Sequence, residues 1–151
     1  MISSNKKINI LVIHGPNLNL LGEREPDIYG RLTLKQLNAE IKDHVSGLNV
    51  RLKFFQSNHE GDLVDYIHRN RTWADGIVIN PGALTHYSYS LRDAIAGVSI
   101  PAVEVHLSDV RKREPFRKIS VIRPVCIGQI LGKGRRSYFE GVDLLMHRLG
   151  E

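Results

Sequence analysis

Residues 8–30 read INILVIHGPNLNLLGEREPDIYG, and this stretch decides the fold class. It contains an apolar run from Ile10 to Ile13 that is rich in β-branched residues and is followed by Gly15-Pro16. Such a run predicts a short strand that is buried on both faces, as in a parallel sheet. Polar and ionisable residues follow it at once. Because open α/β sheets bind ligands just beyond the carboxyl ends of their strands, these residues are candidates for a binding site.

The rest of the chain repeats this alternation of strand and helix. Further strands are predicted at Val50–Phe55, Gly76–Ile79, Pro101–Val105 and Val125–Leu131. A capping box at Thr33 starts the first amphipathic helix, and the last helix runs to Leu149 with Leu144, Leu145 and Leu149 as its apolar positions. Since crossovers between parallel strands are right-handed, we expect an α/β fold, a flavodoxin-like three-layer sandwich around a five-stranded parallel sheet of order 2-1-3-4-5.

The composition excludes several classes of protein. Hydrophobic residues make up 42% and charged residues 25%, which is typical of a folded domain. The apolar runs are much shorter than the ~20 residues that span a bilayer. The single cysteine, Cys126, excludes an internal disulfide and a cysteine-based zinc site, and the amino terminus does not resemble a signal peptide. We therefore expect a cytoplasmic protein of one domain, residues 1–151, without a membrane partner.

The formal net charge of +5 favours an anionic partner. The basic residues are scattered among acidic ones, and no nucleic-acid-binding motif accompanies them. A small anionic molecule is therefore favoured over nucleic acid. A nucleotide is disfavoured, because no phosphate-binding loop and no Gly-x-Gly-x-x-Gly motif follows the first strand.

Three predicted loops supply the candidate site residues. These are Asn17, Arg24 and Tyr29 after the first strand; Asn80, His86, Arg92 and Asp93 after the third; Glu104, His106 and Ser108 at the fourth; and Arg113 and Arg117 beyond it. Three strand-end histidines, His14, His86 and His106, leave a zinc site open as one interpretation.

Proton transfer is the other chemistry that this set allows. An adjacent guanidinium, from Arg24 or Arg117, would lower the pKa of Tyr29 and make its phenolate a base for a proton next to a carbonyl group. His106, held by Glu104, could protonate a leaving hydroxyl. The alternative is that Tyr29 merely packs in its loop.

Five motifs in order resemble type II 3-dehydroquinate dehydratases. They are HGPNLNLLG from His14, REPDIYG from Arg24, QSNHEG from Gln56, NPGALTH from Asn80 and EVHLS from Glu104, and they cover nearly the whole chain. The resemblance implies a flavodoxin-like lyase of the shikimate pathway, which leads to chorismate and the aromatic amino acids. Such enzymes dehydrate 3-dehydroquinate to 3-dehydroshikimate by anti elimination through an enolate, without metal or cofactor.

The resemblance also implies a role for each site residue. Tyr29 would be the base and His106 the acid, with Glu104 as the partner of His106. Arg24 would stabilise the transition state, and Asn17 would help to stabilise the enolate. Asn80, His86, Leu107, Ser108 and Arg117 would bind the substrate, together with Asp93 from a neighbouring subunit.

The family further implies a homo-oligomer, typically a dodecamer built as a tetramer of trimers, and a lid over residues 22–29. Two other classes stay open on the residues alone. A non-catalytic module that binds a small anion would not need Tyr29 beside Arg24, and a metal-dependent hydrolase would be sensitive to chelators. The sequence leaves open whether the enzyme serves aromatic biosynthesis or quinate breakdown.

Overall fold

The computed structural model describes residues 6–150, with the side chains of Ile28 and Tyr29 left out. Its strands are β1 (Ile8–His14), β2 (Val50–Gln56), β3 (Gly76–Asn80), β4 (Ala102–His106) and β5 (Gly128–Leu131). Its α-helices are α1 (Pro26–Tyr29), α2 (Leu34–His44), α3 (Glu60–Arg69), α4 (Tyr89–Val98) and α5 (Arg136–Leu149). The strands pair in parallel in the order β2-β1-β3-β4-β5, which confirms the predicted flavodoxin-like topology.

Each face of the sheet is covered by its own apolar layer. Ile10 and Val12 of β1 pack toward α2 and α5, whereas Leu11 and Ile13 pack toward α3 and α4. This alternation follows from the two-residue period of a strand, and it explains why the whole run is apolar. Full burial stabilises each such side chain by roughly 1.5–3 kcal/mol, so the central strands anchor both layers.

The first long helix begins where its sequence predicts. The Thr33 hydroxyl accepts a hydrogen bond from the Gln36 backbone N–H at 3.1 Å, and the Gln36 side chain accepts one from the Thr33 N–H at 3.0 Å. This reciprocal pair is a capping box, and it satisfies two backbone donors that a helix start leaves open. Leu37 and Ile41 are then buried against the sheet.

The start of the last strand was wrong in the sequence prediction. β5 begins at Gly128, whereas Arg123–Val125 forms a single 3-10 turn. Pro124 has no N–H for a sheet ladder and fixes its own φ, so the turn continues through it. Val125 is partly buried against the α3 and α4 layer.

The core face of α5 also differs from the prediction. Its buried positions include Tyr138, Gly141, Val142 and Leu145, whereas Leu144 and Leu149 are only partly buried. A Cβ added at Gly141 would lie 2.9 Å from Val105 Cγ1, so this glycine lets α5 lie close to β4. Because α5 lies close to the sheet, the Tyr138 side chain is fully buried beneath the carboxyl ends of the strands.

The same strand ends form the upper edge of the sheet. β1 and β3 are neighbours, and their following connections lead to strands on opposite sides, which makes this edge the topological switch point. Gly15 N–H donates to the Asn80 carbonyl at 2.7 Å, and a Cβ at Gly15 would lie only 2.6 Å from the Pro81 carbonyl oxygen. Glycine is therefore required for the two loops to meet. Within residues 6–150, no helix is both long and apolar enough to cross a membrane.

Candidate active site

A cleft of about 120 Å³ opens at the carboxyl ends of β1, β3 and β4. Eight of the eleven site residues that the family resemblance implies line it, namely Asn17, Arg24, Asn80, His86, His106, Leu107, Ser108 and Arg117. Of the other three, Glu104 lies directly behind His106, and Asp93 is exposed on α4 and does not line the cleft. Tyr29 ends α1, and its side chain lies outside the described part of the structure.

A buried carboxylate holds the histidine at the floor of the cleft. His106 Nε2 lies 2.5 Å from Glu104 Oε2, and the two side chains are 4% and 0% exposed. Because an ionised carboxylate only accepts hydrogen bonds, Nε2 carries the proton of this bond. Nδ1 is thus the ring nitrogen left for exchange of a proton with a ligand.

Two hydroxyl groups complete the shell around Glu104. Thr85 Oγ1 donates to Glu104 Oε2 at 2.5 Å, and Ser120 Oγ donates to Oε1 at 2.7 Å. Ser120 Oγ itself accepts from the backbone N–H groups of Ile122 and Arg123, which leaves its proton for the carboxylate. Glu104 therefore has a donor at each oxygen.

These contacts keep Glu104 ionised despite its burial. Desolvation alone would raise the pKa of a carboxyl group, and it is the largest single influence here. The hydrogen bonds and the charge of His106, with the bonds from Thr85 and Ser120, together outweigh it and hold the pKa below its usual value. The ionised Glu104 thereby fixes the His106 ring through Nε2 and leaves Nδ1 as the nitrogen that can give a proton to a ligand.

A second histidine on the cleft wall has a defined tautomer. His86 Nδ1 lies 2.7 Å from the carbonyl oxygen of Ile119, which can only accept, so Nδ1 carries the proton. Its ring also meets Phe116 edge-on, at a centroid distance of 5.6 Å. Nε2 is then the ring nitrogen left for a hydroxyl group of a ligand.

Three arginines give the cleft a positive wall. Arg24, Arg113 and Arg117 all line it, and no carboxylate does so among the residues that the structure describes. Their acidic partners lie toward solvent: Glu25 pairs with Arg24 at 3.6 Å and with Arg113 at 3.4 Å, and Glu114 pairs with Arg117. Such a wall suits an anionic ligand, in particular a carboxylate.

Asn17 is held at the cleft mouth by its backbone. Its φ of 72° places it in the left-handed region, which asparagine tolerates better than most residues. Its N–H donates to Asn58 Oδ1 at 2.9 Å, and Gln56 Nε2 donates to the same oxygen at 3.1 Å. The motif after β2 thus positions the loop after β1.

A fully buried histidine lies beneath the cleft. His14 Nδ1 is 2.9 Å from the Tyr138 hydroxyl, and His14 Nε2 is 2.8 Å from Asn38 Oδ1. Burial lowers the pKa of His14 to about 4, although the bond to Asn38 acts in the opposite direction. His14 is therefore neutral in the folded protein at neutral pH.

This neutral histidine predicts a pH dependence of stability. Between pH 6.5, the pKa of a free histidine, and about 4, the unfolded chain binds a proton at His14 that the folded chain does not. The free energy of unfolding should therefore fall by up to about 3 kcal/mol as the pH decreases through this interval. Urea unfolding of wild type and His14→Asn at several pH values measures this. Equal slopes in the two proteins would contradict it.

The three-histidine zinc site is not supported. His14 is committed to Asn38 and Tyr138 below the cleft, so it does not join His86 and His106. Across residues 6–150, no three histidine, cysteine or acidic side chains are grouped in a way that could hold a metal ion.

Several functional contacts were missed by sequence reasoning. Arg113 was named as a candidate but not selected for the site, although it lines the cleft. Thr85 and Ser120 were not considered, although both bind Glu104. Thr85 lies inside the NPGALTH motif and could have been found there, whereas Ser120 comes from a charged stretch with no distinguishing pattern.

Comparison with known proteins gives a consistent result. The family described as dehydroquinase class II matches residues 8–146. A 3-dehydroquinate dehydratase from Roseiflexus castenholzii is 52% identical over 144 residues, which are 95% of this chain and 92% of that protein. A 3-dehydroquinate dehydratase from Bacillus pumilus is 55% identical over 142 residues, which are 94% of this chain and 97% of that protein. The crystal structure of a type II dehydroquinase from Butyrivibrio crossotus matches with a TM-score of 0.90 at 50% identity, over 93% of this chain and 98% of that one.

Proposed function

We propose that this chain, which belongs to the class II dehydroquinase family and is an enzyme, dehydrates 3-dehydroquinate to 3-dehydroshikimate. The reaction would be an anti elimination through an enolate. The observation that carries the proposal is the buried Glu104–His106 pair at the floor of a cleft with an arginine wall. A dehydratase needs an acid for the departing hydroxyl, and an anionic substrate needs compensating charge.

The first step is removal of a proton from C2 of the substrate. Tyr29, as the phenolate, takes this proton, and the electron pair of the C–H bond moves into the C3 carbonyl group to form an enolate. Arg24 lines the cleft, and its positive charge favours the phenolate and the enolate. Asn17 assists at the enolate oxygen from the mouth of the cleft.

The second step is loss of the C1 hydroxyl. The enolate electrons form the C1–C2 double bond while the C1–O bond breaks, and His106 Nδ1 gives the departing oxygen its proton. Water leaves, and the product carries a double bond conjugated with the C3 carbonyl. Tyr29 then returns its proton to solvent and His106 regains one, so the cycle closes without metal or cofactor.

The remaining lining residues bind the substrate. Asn80, His86, Leu107, Ser108 and Arg117 together offer hydrogen-bonding and charged groups to the carboxylate and the ring hydroxyls of the substrate. Residues 1–151 would act as one catalytic domain.

The assembly and the location are proposals as well. Asp93 is exposed and does not line the cleft of its own chain, which supports a role in the site of a neighbouring subunit. Such a role would need at least a trimer, and we propose a dodecamer built from trimers. A cytoplasmic location, and the lack of nucleic-acid and membrane partners, stay predictions from the composition.

The proposal is tested by turnover of 3-dehydroquinate, followed through the ultraviolet absorbance of the conjugated product. We expect turnover that is unchanged by excess EDTA, because no step uses a metal. Activity lost to EDTA and restored by a divalent metal would favour a metal-dependent enzyme. Binding of 3-dehydroquinate without turnover would favour a non-catalytic binding module.

A further inference from the structure

Four buried or partly buried side chains connect the interior to the cleft. His14 ends β1 and Asn80 ends β3, and the two residues are register partners in the sheet. The Tyr138 hydroxyl of α5 contacts both, through its bond to His14 and a side-chain hydrogen bond with Asn80. Asn38 of α2 is the last member, bonded to His14 Nε2. We name this set the Asn38–His14–Tyr138–Asn80 chain.

The direction of each hydrogen bond in the chain follows from chemistry. Asn38 Oδ1 can only accept, so His14 Nε2 carries the ring proton. His14 is neutral, so Nδ1 is an acceptor and the Tyr138 hydroxyl must donate to it. With its proton used, the hydroxyl oxygen can only accept from Asn80, and the donor there must be Nδ2–H.

The chain thereby determines how the Asn80 amide is oriented. Its Oδ1 accepts from the Gly82 N–H at 3.1 Å, which matches the orientation that Tyr138 requires. One N–H of Nδ2 is used by Tyr138, and the second stays available to the cleft that Asn80 lines. Asn80 thus offers a ligand a donor and not an acceptor.

We propose that Tyr138 and His14 are positioning residues that lock the Asn80 amide with a donor toward the cleft, so that this point selects an acceptor oxygen of the substrate. The inference rests on the proposed function for the identity of that oxygen, which belongs to the carboxylate or a hydroxyl of 3-dehydroquinate. Tyr138 is fully buried and lies behind Asn80, so it acts on the substrate only through the amide.

The kinetic consequence is specific. Asn80 would contact the substrate equally in the ground state and in the transition state, because it lies at a binding group and not at C1 or C2. Loss of uniform binding raises KM with little change in kcat. Removing the Tyr138 hydroxyl takes away one of the two contacts that hold the amide and leaves the Gly82 N–H. We therefore expect KM of Tyr138→Phe to rise roughly three- to tenfold.

A double-mutant cycle separates positioning from a general structural effect. KM and kcat are measured for wild type, Tyr138→Phe, Asn80→Ala and the double variant, with Tyr66→Phe as a matched control because Tyr66 stacks on Phe55 in the α3 layer. If Tyr138 acts through Asn80, its substitution has little further effect once Asn80 is alanine. Equal effects in both backgrounds, or an unchanged KM in Tyr138→Phe, would overturn the inference.

Two further measurements keep the test decisive. Asn38→Ala removes the acceptor for His14 Nε2 at the partly exposed end of the Asn38–His14–Tyr138–Asn80 chain. It should also raise KM, by a smaller factor than Tyr138→Phe. This variant keeps the test possible if Tyr138→Phe folds poorly. Neutron crystal structures of wild type and Tyr138→Phe, which distinguish the amide oxygen from the deuterated nitrogen, show the orientation of the Asn80 amide without relying on turnover. An Asn80 amide that keeps its orientation in Tyr138→Phe would overturn the inference. If the amide rotates in Tyr138→Phe but the wild type does not turn over 3-dehydroquinate, only the proposed reaction would be overturned.

Discussion

Tyr29→Phe is expected to lower kcat by about 10³-fold while leaving KM within a few-fold of wild type. Phenylalanine keeps the ring and removes the oxygen that would take the C2 proton, and general base catalysis commonly contributes 10²- to 10⁴-fold. An interaction made only in the transition state lowers kcat without a matching change in substrate binding. Initial rates of 3-dehydroquinate dehydration across substrate concentrations give both constants.

The matched control is Tyr87→Phe. Tyr87 is a 61% exposed tyrosine that follows His86 and does not line the cleft, so its variant should keep the wild-type kcat. A Tyr29→Phe enzyme with wild-type kcat would show that another group removes the proton. The role of Tyr29 would then be limited to packing in its loop, which is the alternative that the sequence left open.

The second large effect is expected for Glu104→Gln, which should lower kcat by about 10²-fold or more. Glutamine has nearly the same volume, but its amide group is neutral and places N–H donors where Thr85, Ser120 and His106 now donate. His106 loses the anionic partner that fixes its ring, and at least one donor is left facing another. Steady-state kinetics measure the loss, and circular dichroism checks that the fold is retained.

Glu140→Gln is a suitable control, because Glu140 lies on α5 and pairs with Lys133 away from the cleft. It should have the kcat of wild type. A Glu104→Gln enzyme within a few-fold of wild type would mean that His106 does not need a carboxylate partner, and would remove the pair from the centre of the mechanism.

The fold was predictable because its strands are short apolar runs that must be buried on both faces. β1 and β3 show this best, since every core position within each run contacts one of the two helical layers. The start of β5 was less predictable, because the turn at Arg123–Val125 precedes it. The apolar residues of this turn and of the strand form one run in the sequence. A sequence pattern gives the apolar character of Val125 but not whether its backbone pairs.

The site was predictable where residues directly follow a strand. Asn17, Asn80 and His106 lie near the strand ends and therefore converge at one edge of the sheet. Groups from elsewhere were not predictable in this way. Ser120 reaches Glu104 from an irregular segment, and Tyr138 reaches Asn80 because Gly141 lets α5 approach β4 closely. Such contacts depend on tertiary packing and not on local pattern.

In the proposed reaction, the base and the acid act from opposite faces of the substrate without a metal. The most direct test is the wild-type reaction, in EDTA, on 3-dehydroquinate that carries deuterium at C2 on the face opposite the C1 hydroxyl. Anti elimination predicts a product without deuterium and a slowed reaction if C–H cleavage limits the rate. A product that keeps its deuterium would show syn elimination and contradict the assigned roles of Tyr29 and His106.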